Sequence, residues 1–178
     1  MKSSFKRDTK ETKISVTLDS DGSGSNEVAT GIELLDEILV ILAEASGFDL
    51  TVKAKGDLAT GDHHTTEDVG IALGSVLGKL IQKGIGSSMV PSGECLAVAA
   101  VRFNEPGYSG GFEFHSNEMG GMALENFGHF ARSLAYNGRF TLHLSAKGGS
   151  DHQKIDALTV ALGRALRRAA IDGEKEKR

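Results

Sequence analysis

The sequence predicts an α+β fold made of two copies of one βα unit. Residues 48–56 and 140–148 share the pattern Phe-x-Leu-x-x-x-Ala-Lys-Gly. In each copy a polar loop follows, and then an Asp-His pair, Asp62-His63 or Asp151-His152, at the entrance of an apolar helical pattern. A shared order of helix, strand, loop and histidine-bearing helix indicates duplication. Each copy is expected to form a sheet covered on one face by two helices, and the two helix layers to pack together.

Apolar periodicity defines the elements of the first copy, which we place at residues 13–93. Polar and apolar residues alternate over residues 13–18, which is typical of a half-buried strand. Thr30 and Glu33 have the spacing of a capping box, which predicts a helix that begins next to them. In order, the predicted elements are a loose arm at residues 1–12, a strand at 13–18, a turn at 19–25, a helix at 31–45, a strand at 48–54 and a helix at 65–80.

The second copy is placed at residues 94–171. Residues 84–93 contain Pro91 and several glycines and are predicted as a loop. Residues 95–103 are strongly apolar and are predicted as a buried strand. The remaining predicted elements are a turn at 105–111, a short strand at 112–115, a helix at 117–137, a strand at 140–146 and a final helix at 152–171, followed by a polar tail.

Length and composition limit the classes of function. A chain of 178 residues, 39% hydrophobic and 25% charged, fits one globular domain of two packed repeats. The net charge of −4 and the absence of Trp argue against a nucleic-acid partner. No apolar run reaches membrane-spanning length, and the first residues lack the apolar core of a signal peptide. The single cysteine, Cys95, fits a reducing cytoplasm, which is the localisation we expect.

The strongest chemical signal is the segment that contains His63, His64 and Glu67. If a helix begins here, residues three and four apart share a face, so the carboxylate lies beside the imidazoles. Such nitrogen and oxygen donors suit Mn²⁺, Fe²⁺ or Zn²⁺. The alternative is that the two histidines form only a polar helix entrance, capped with help from the threonines that follow.

A series of motifs runs along nearly the whole chain, from about residue 7 to residue 170. They are RDTKET at residues 7–12, TGI at 30–32, FDL at 48–50, DHHTTED at 62–68, LH at 142–143 and DH at 151–152. Together they resemble the imidazoleglycerol-phosphate dehydratase family of histidine biosynthesis. The His-His-Thr-x-Glu-Asp segment is highly specific in this context.

The resemblance implies a fold, an assembly and a reaction. The fold is a duplicated α+β domain with two four-stranded sheets and helices packed between them, of the ribosomal S5 domain 2-like type. The assembly is a homo-oligomeric 24-mer built from trimers, with manganese at subunit interfaces, one or two ions per subunit. The reaction is the loss of water from a small molecule, imidazole glycerol phosphate, with the metal as Lewis acid.

The metal ligands implied by the resemblance fall into two sets. The first set is His63, His143, His152 and Asp156, where the family has Glu in place of Asp156. The second set is Glu37, His64, Glu67 and Gln153, where the family has His in place of Glu37 and Gln153. This second set has one imidazole among oxygen donors, which suits a harder ion such as Mg²⁺ or Mn²⁺ and weaker binding.

The residues that would contact the substrate depart further from the family. Glu11 and Glu67 are the implied catalytic groups, and Glu94 is the implied substrate contact. Three cations that hold the phosphate in the family are replaced, by the segment Gly86-Ser87-Ser88, by the segment Asn104-Glu105-Pro106 and by Val160. Each lost charge-assisted hydrogen bond removes roughly 1.5 to 3 kcal/mol of binding.

Three readings of the function follow. The chain is a dehydratase of histidine biosynthesis, or a relative that keeps a metal site but acts on another, non-phosphorylated substrate, or a non-catalytic assembly in which metal links the subunits. Metal content and turnover distinguish these readings.

The remaining polar residues are interpreted structurally. His115 and His129 are expected to be surface or partly buried residues without a site role, although His129 falls opposite Glu37 in the repeat. Asp62 and Asp151 are expected to orient the imidazoles next to them.

Overall fold

The structure is a computed structural model in which residues 1–177 are described. The first half contains strands β1 (Lys2–Asp8), β2 (Thr12–Asp19), β3 (Asn26–Ala29) and β4 (Asp49–Gly56), and helices α1 (Glu33–Ser46) and α2 (His63–Leu80). The second half contains strands β5 (Ile85–Ser92), β6 (Cys95–Phe103), β7 (Gly107–Gly111), β8 (Glu118–Met119), β9 (Met122–Ala123) and β10 (Phe140–Lys147), and helices α3 (Glu125–Gly138) and α4 (Asp151–Lys175).

Two four-stranded sheets have the same topology. The first sheet has the order β1-β2-β4-β3, and the second has the order β5-β6-β10-β7. In each sheet the first three strands are antiparallel, and the edge strand that follows them, β3 or β7, is parallel to its neighbour. This equivalence confirms the α+β fold of duplicated units.

The helices form two layers between the sheets, with α1 and α2 on the side of the first sheet and α3 and α4 on the side of the second, and these layers pack together as predicted. Helix α2 packs on the first sheet and against α3, whereas α4 packs on the second sheet and against α1. The apolar face of each helix supplies the core, in which Phe48, Phe127, Phe130 and Phe140 are among the largest fully buried side chains. Because α1 pairs with α4 and α2 with α3, each histidine-bearing helix lies beside a helix of the other repeat.

Two predicted irregular segments are strands. The predicted arm at residues 1–12 contains β1, which pairs with β2 along its whole length, so that prediction is wrong. The predicted loop at residues 84–93 contains β5, whose alternate residues face the core against α4, so that prediction is also wrong. The sequence repeat placed the end of the first copy at residue 93. Strand β5 lies before that residue but belongs to the second sheet, so the second structural unit begins earlier.

Local details also differ from the prediction. The short strand expected at residues 112–115 lies earlier, as β7. The helix expected from residue 117 begins at Glu125, because a β8–β9 hairpin precedes it. The Thr30 side chain makes no capping box and instead donates a hydrogen bond to Asp36. A capping box does begin α4, where Ser150 accepts a hydrogen bond from the backbone of Gln153.

The helices of residues 1–177 include none that is long and apolar enough to cross a membrane. The longest, α4, carries charged residues along its exposed side.

Candidate metal and active site

The N-terminus of α2 presents an imidazole and a carboxylate side by side. His63 and Glu67 are one helical turn apart, and His63 Nε2 lies 2.9 Å from Glu67 Oε2. The two side chains are 49% and 40% exposed, so a ligand can reach them from outside the fold. His64 is also exposed, and its ring centroid lies 5.9 Å from that of His63.

A buried network fixes the orientation of the His63 ring. The Oδ1 atom of Asn126, on α3, lies 2.9 Å from His63 Nδ1. The Nδ2 group of the same side chain donates a hydrogen bond to the Asp62 carboxylate, also at 2.9 Å. The Asp62 carboxylate also accepts hydrogen bonds from the Thr66 hydroxyl and the backbone of Ala123. Because a carboxylate only accepts, the amide must direct its NH₂ group to Asp62 and its oxygen to His63. His63 Nδ1 is therefore the donor.

This orientation has a consequence for Nε2. With a hydrogen on Nδ1, a neutral imidazole has a lone pair on Nε2, which would face the Glu67 carboxylate at 2.9 Å. Two acceptors at this distance repel each other, so a cation is required between them, either a proton on Nε2 or a metal ion. The donor pair therefore has the chemistry of a divalent-metal half-site.

His129 is closer to this pair than the sequence indicated. Its ring lies on α3 with its centroid 5.3 Å from that of His63, and its side chain is exposed. The signal was present in the repeat, because His129 is the counterpart of Glu37. The expectation that His129 is a surface residue is confirmed, and its ring also lies next to that of His63.

The N-terminus of α4 carries a second imidazole and carboxylate. His152 Nε2 lies 2.9 Å from Glu37 Oε1 on α1, and the side chains are 62% and 40% exposed. In the repeat His152 matches His63, and Glu37 matches His129. The two sites are therefore related by the repeat: His63 on α2 lies beside His129 on α3, and His152 on α4 lies beside Glu37 on α1.

The other predicted ligands lie apart from these pairs. His143 is exposed on β10, on the face of the second sheet that is turned away from the helices. Asp156, in the second turn of α4, accepts a hydrogen bond from the Ser92 hydroxyl at 3.3 Å. Glu11 is exposed in the turn between β1 and β2, and Glu94 is exposed in the turn between β5 and β6.

The Gln153 side chain takes part in the capping box that begins α4. Its Oε1 accepts a hydrogen bond from the Ser150 backbone at 2.9 Å. The side chain also packs closely against Gly93 and Gly149. The predicted role of Gln153 as a metal ligand would require this cap to open.

Asp151 does not orient an imidazole, as the sequence suggested. It accepts hydrogen bonds from the backbone N–H groups of His115 and Ser116, at 2.7 and 2.8 Å, and so fixes the loop before β8. Burial would raise the pKa of this carboxyl, but the two backbone donors outweigh burial and hold the pKa below its ordinary value.

The lowered pKa predicts a pH dependence of stability. A carboxyl with a depressed pKa in the folded state stabilises the protein above its unfolded pKa, and this contribution is lost as pH falls through the folded pKa. We expect Asp151→Asn to lower the free energy of unfolding by about 1 to 2 kcal/mol at pH 7, because an NH₂ group would face a backbone donor. Urea unfolding from pH 7 to pH 3 should show the difference from wild type shrinking below about pH 4. A difference that stays constant over this range would contradict the assignment.

Residues 1–177 do not bring three or more His, Cys, Asp or Glu side chains together in a geometry that could hold a metal ion. The chain instead presents two exposed two-donor pairs, His63 with Glu67 and His152 with Glu37. The donor types fit Mn²⁺, but a full ligand set needs further groups from outside either pair.

Comparison with known proteins agrees with the motifs and the fold. A profile of the family described as imidazoleglycerol-phosphate dehydratase matches residues 30–166. The chain belongs to the imidazoleglycerol-phosphate dehydratase family. The imidazoleglycerol-phosphate dehydratase of Desulforudis audaxviator is 42% identical over 176 residues, which cover 95% of this chain and 90% of that protein. That of Methanocaldococcus jannaschii is 38% identical, over 90% of this chain and 83% of that protein.

Solved structures of the family have the same fold. The crystal structure of the Staphylococcus aureus imidazoleglycerol-phosphate dehydratase superposes with a TM-score of 0.84 at 28% identity, over 95% of this chain and 98% of that chain. The Pyrococcus furiosus enzyme, solved in complex with (S)-C348, gives a TM-score of 0.81 at 30% identity, over 93% of both chains. A bifunctional histidine-biosynthesis protein of Stenotrophomonas maltophilia is 41% identical over 92% of this chain and 47% of its own length. The family is therefore that of a lyase of histidine biosynthesis.

Proposed function

We propose that the chain is a manganese-dependent dehydratase that removes water from imidazole glycerol phosphate in cytoplasmic histidine biosynthesis. The observation that carries this proposal is the pair of exposed imidazole–carboxylate contacts, each with a nitrogen–oxygen distance of 2.9 Å, at the starts of α2 and α4. At His63, whose Nδ1 carries a hydrogen, the contact needs a proton or a metal ion between Nε2 and Glu67, and both contacts are open to solvent. Structural histidines are more often satisfied inside the fold.

The residues of the chain supply metal ligands and proton-transfer groups, and Glu67 is proposed for both roles. His63, His152 and His143, with Asp156, are the proposed ligands of one ion. His64 and Glu67, with weaker donors at Glu37 and Gln153, are the proposed ligands of a second, so each imidazole–carboxylate pair would supply one ligand to each ion. When bound, the metal would supply Lewis acidity toward the imidazole of the substrate. Glu11 and Glu67 are exposed enough to accept and donate the proton in the dehydration.

The proposed site is completed by other copies of the chain. His143 lies on the outer face of the second sheet, whereas His63 and His152 lie at the ends of helices on the inner face. Side chains on opposite faces of one sheet cannot share an ion, so the His143 of another copy must approach. This requirement supports a homo-oligomer, for which we propose the 24-mer built from trimers.

One guanidinium lies beside a segment that lacks its family cation. Arg168, on α4, donates to the backbone carbonyl of Ser87 on β5. Its side chain is exposed, so part of its hydrogen-bonding capacity is free for a phosphate oxygen. This contact supports retention of a phosphorylated substrate, with Glu94 as a further contact.

Metal content and turnover test the proposal together. After reconstitution with Mn²⁺, elemental analysis should give one or two ions per subunit, and the protein should dehydrate imidazole glycerol phosphate. We expect His63→Ala and His152→Ala each to lower kcat/KM by at least roughly 100-fold and to lower the manganese content, because each removes a ligand. His115→Ala is the matched control, since His115 contacts Asp151 only through its backbone. Protein that binds no manganese, or turns over equally well without these histidines, would refute the proposal.

A second candidate is favoured by the substrate-binding positions. No positive charge is present where the family has cations, which are replaced by the segments Gly86-Ser87-Ser88 and Asn104-Glu105-Pro106 and by Val160. A relative that binds metal and acts on a substrate without phosphate is therefore the alternative. This alternative predicts that the protein binds manganese, that the manganese content falls in the His63→Ala and His152→Ala variants, and that imidazole glycerol phosphate is not turned over. If chelation dissociates the assembly and no turnover is found with either kind of substrate, the metal is structural.

A further inference from the structure

The outer face of the first sheet carries an unusual concentration of positive charge for an acidic protein. A groove of about 500 Å³ is lined by the exposed lysines Lys6, Lys13, Lys53 and Lys55. Asp8 is the one carboxylate in this lining, while the whole chain has a net charge of −4. We call this feature the lysine groove.

The strand register places the lysines against one another. Lys13 on β2 lies between Lys55 on β4 and Asp8 on β1, so two lysines share this row with one carboxylate. In the next outward-facing row, Ser15 lies between Lys6 on β1 and Lys53 on β4. Like charges directly opposite on a sheet destabilise it, so this arrangement favours an anion that neutralises them.

The protein's own carboxylates compensate this charge only in part. Lys53 is paired with Glu27 at 3.3 Å, but both side chains are more than half exposed, so the pair is easily exchanged. Arg7, which also borders the groove, is held by Asp68 on the inner side. Within residues 1–177 no ion pair involves Lys6, Lys13 or Lys55.

The surroundings of the lysines favour a small ligand over a macromolecule. The large apolar side chains that are exposed elsewhere, such as Ile85, Met89 and Leu96, lie on the second sheet and none lines the groove. Protein partners usually need a desolvated apolar centre, and single-stranded nucleic acids need aromatic platforms. The groove volume lies within the range of small-molecule sites.

We propose that the lysine groove binds a small phosphorylated molecule. Ser15 lies between Lys6 and Lys53 with Lys13 and Lys55 in the neighbouring row, its hydroxyl can donate to a phosphate oxygen, and Ala29 leaves room beside Lys53. The lysines lie on the face of the first sheet opposite to α2, because the alternate residues Ile14, Val16 and Val52 face the helix. The groove is thus separate from the paired imidazoles and carboxylates at the helix ends.

Pyrophosphate is the probe, and isothermal titration calorimetry of the intact protein is the measurement. We expect saturable binding that weakens as ionic strength rises. The variant Lys13→Gln/Lys55→Gln should bind pyrophosphate about tenfold more weakly, because two exposed ion pairs are lost. The same variant should be no less stable than wild type without ligand, since it removes a like-charge pair.

The control removes the same charge from the other sheet. Arg102→Gln/Lys147→Gln alters two exposed strand residues of the second sheet and should leave the affinity for pyrophosphate within about twofold. No saturable binding, or equal losses in the two variants, would overturn the proposal. An oligonucleotide whose affinity rises with its length would overturn the proposal, because the groove would then bind nucleic acid. A change in the size of the assembly in Lys13→Gln/Lys55→Gln would also overturn it, because the groove would then contact another copy of the chain.

Discussion

Gly86→Ala should destabilise the protein by about 3 kcal/mol, which we expect to lower the melting temperature by roughly 10 °C. A Cβ atom at Gly86 would lie 2.0 Å from the carbonyl oxygen of Ala165 and 2.5 Å from the backbone nitrogen of Ala169. Both atoms belong to the backbone of α4 and cannot rotate away. Strand β5 would therefore have to move off the helix, with loss of packing along their contact.

A glycine in the same sheet provides the matched control. A Cβ at Gly107, on β7, would lie 3.6 Å from its nearest neighbour, the Thr141 hydroxyl oxygen, which is an ordinary contact. Gly107→Ala should change the melting temperature by no more than about 2 °C. Differential scanning fluorimetry of the two variants under the same conditions checks the prediction. Equal melting temperatures would mean that β5 does not pack on α4 as described.

The close approach at Gly86 also bears on the proposed substrate site. Ser87 follows Gly86, and its backbone carbonyl accepts the hydrogen bond from Arg168 on α4. The distance between β5 and α4 thus sets where this guanidinium lies. A variant that forces the strand away from the helix should weaken substrate binding as well as stability.

Strand β5 illustrates why part of the fold could not be predicted from the sequence. Strand β6 was predicted correctly, because its residues are apolar enough to specify a buried strand by themselves. Strand β5 contains Gly86, three serines and Pro91, which locally favour a loop. Its extended conformation comes from pairing with β6 and from packing on α4, neither of which has a local signal. The same applies to β1, whose polar residues lie on an edge strand.

The candidate site was predicted in its composition but not in its arrangement. The motifs identified His63, Glu67, His152 and Glu37, and the structure pairs them as two contacts of equal length. The position of His129 beside His63 depends on how α2 and α3 cross, which no spacing along the chain specifies. The use of Gln153 in a capping box depends on the loop before α4.

Asn126→Leu should lower the affinity for manganese about 10- to 100-fold. Asn126 is 3% exposed and joins His63 Nδ1 to the Asp62 carboxylate. A leucine of similar size would leave the ring without the acceptor that fixes its donor nitrogen, so Nε2 would no longer be held toward Glu67. The loss of the hydrogen bonds should also lower the free energy of unfolding by about 1 to 3 kcal/mol.

The metal titration separates orientation of the ligand from a general loss of structure. Affinity is measured well below the melting temperature of each variant, so that both are folded. Asn137→Leu is the control, because Asn137 is an exposed asparagine on the same helix that bonds only to the carbonyl of Ser133. It should bind manganese as wild type does. If Asn126→Leu melts earlier but binds manganese unchanged, Asn126 acts only in folding. If its affinity falls while Asn137→Leu is unaffected, the buried carboxylate and amide hold His63 as a metal ligand, and the donor pair on α2 is a functional half-site.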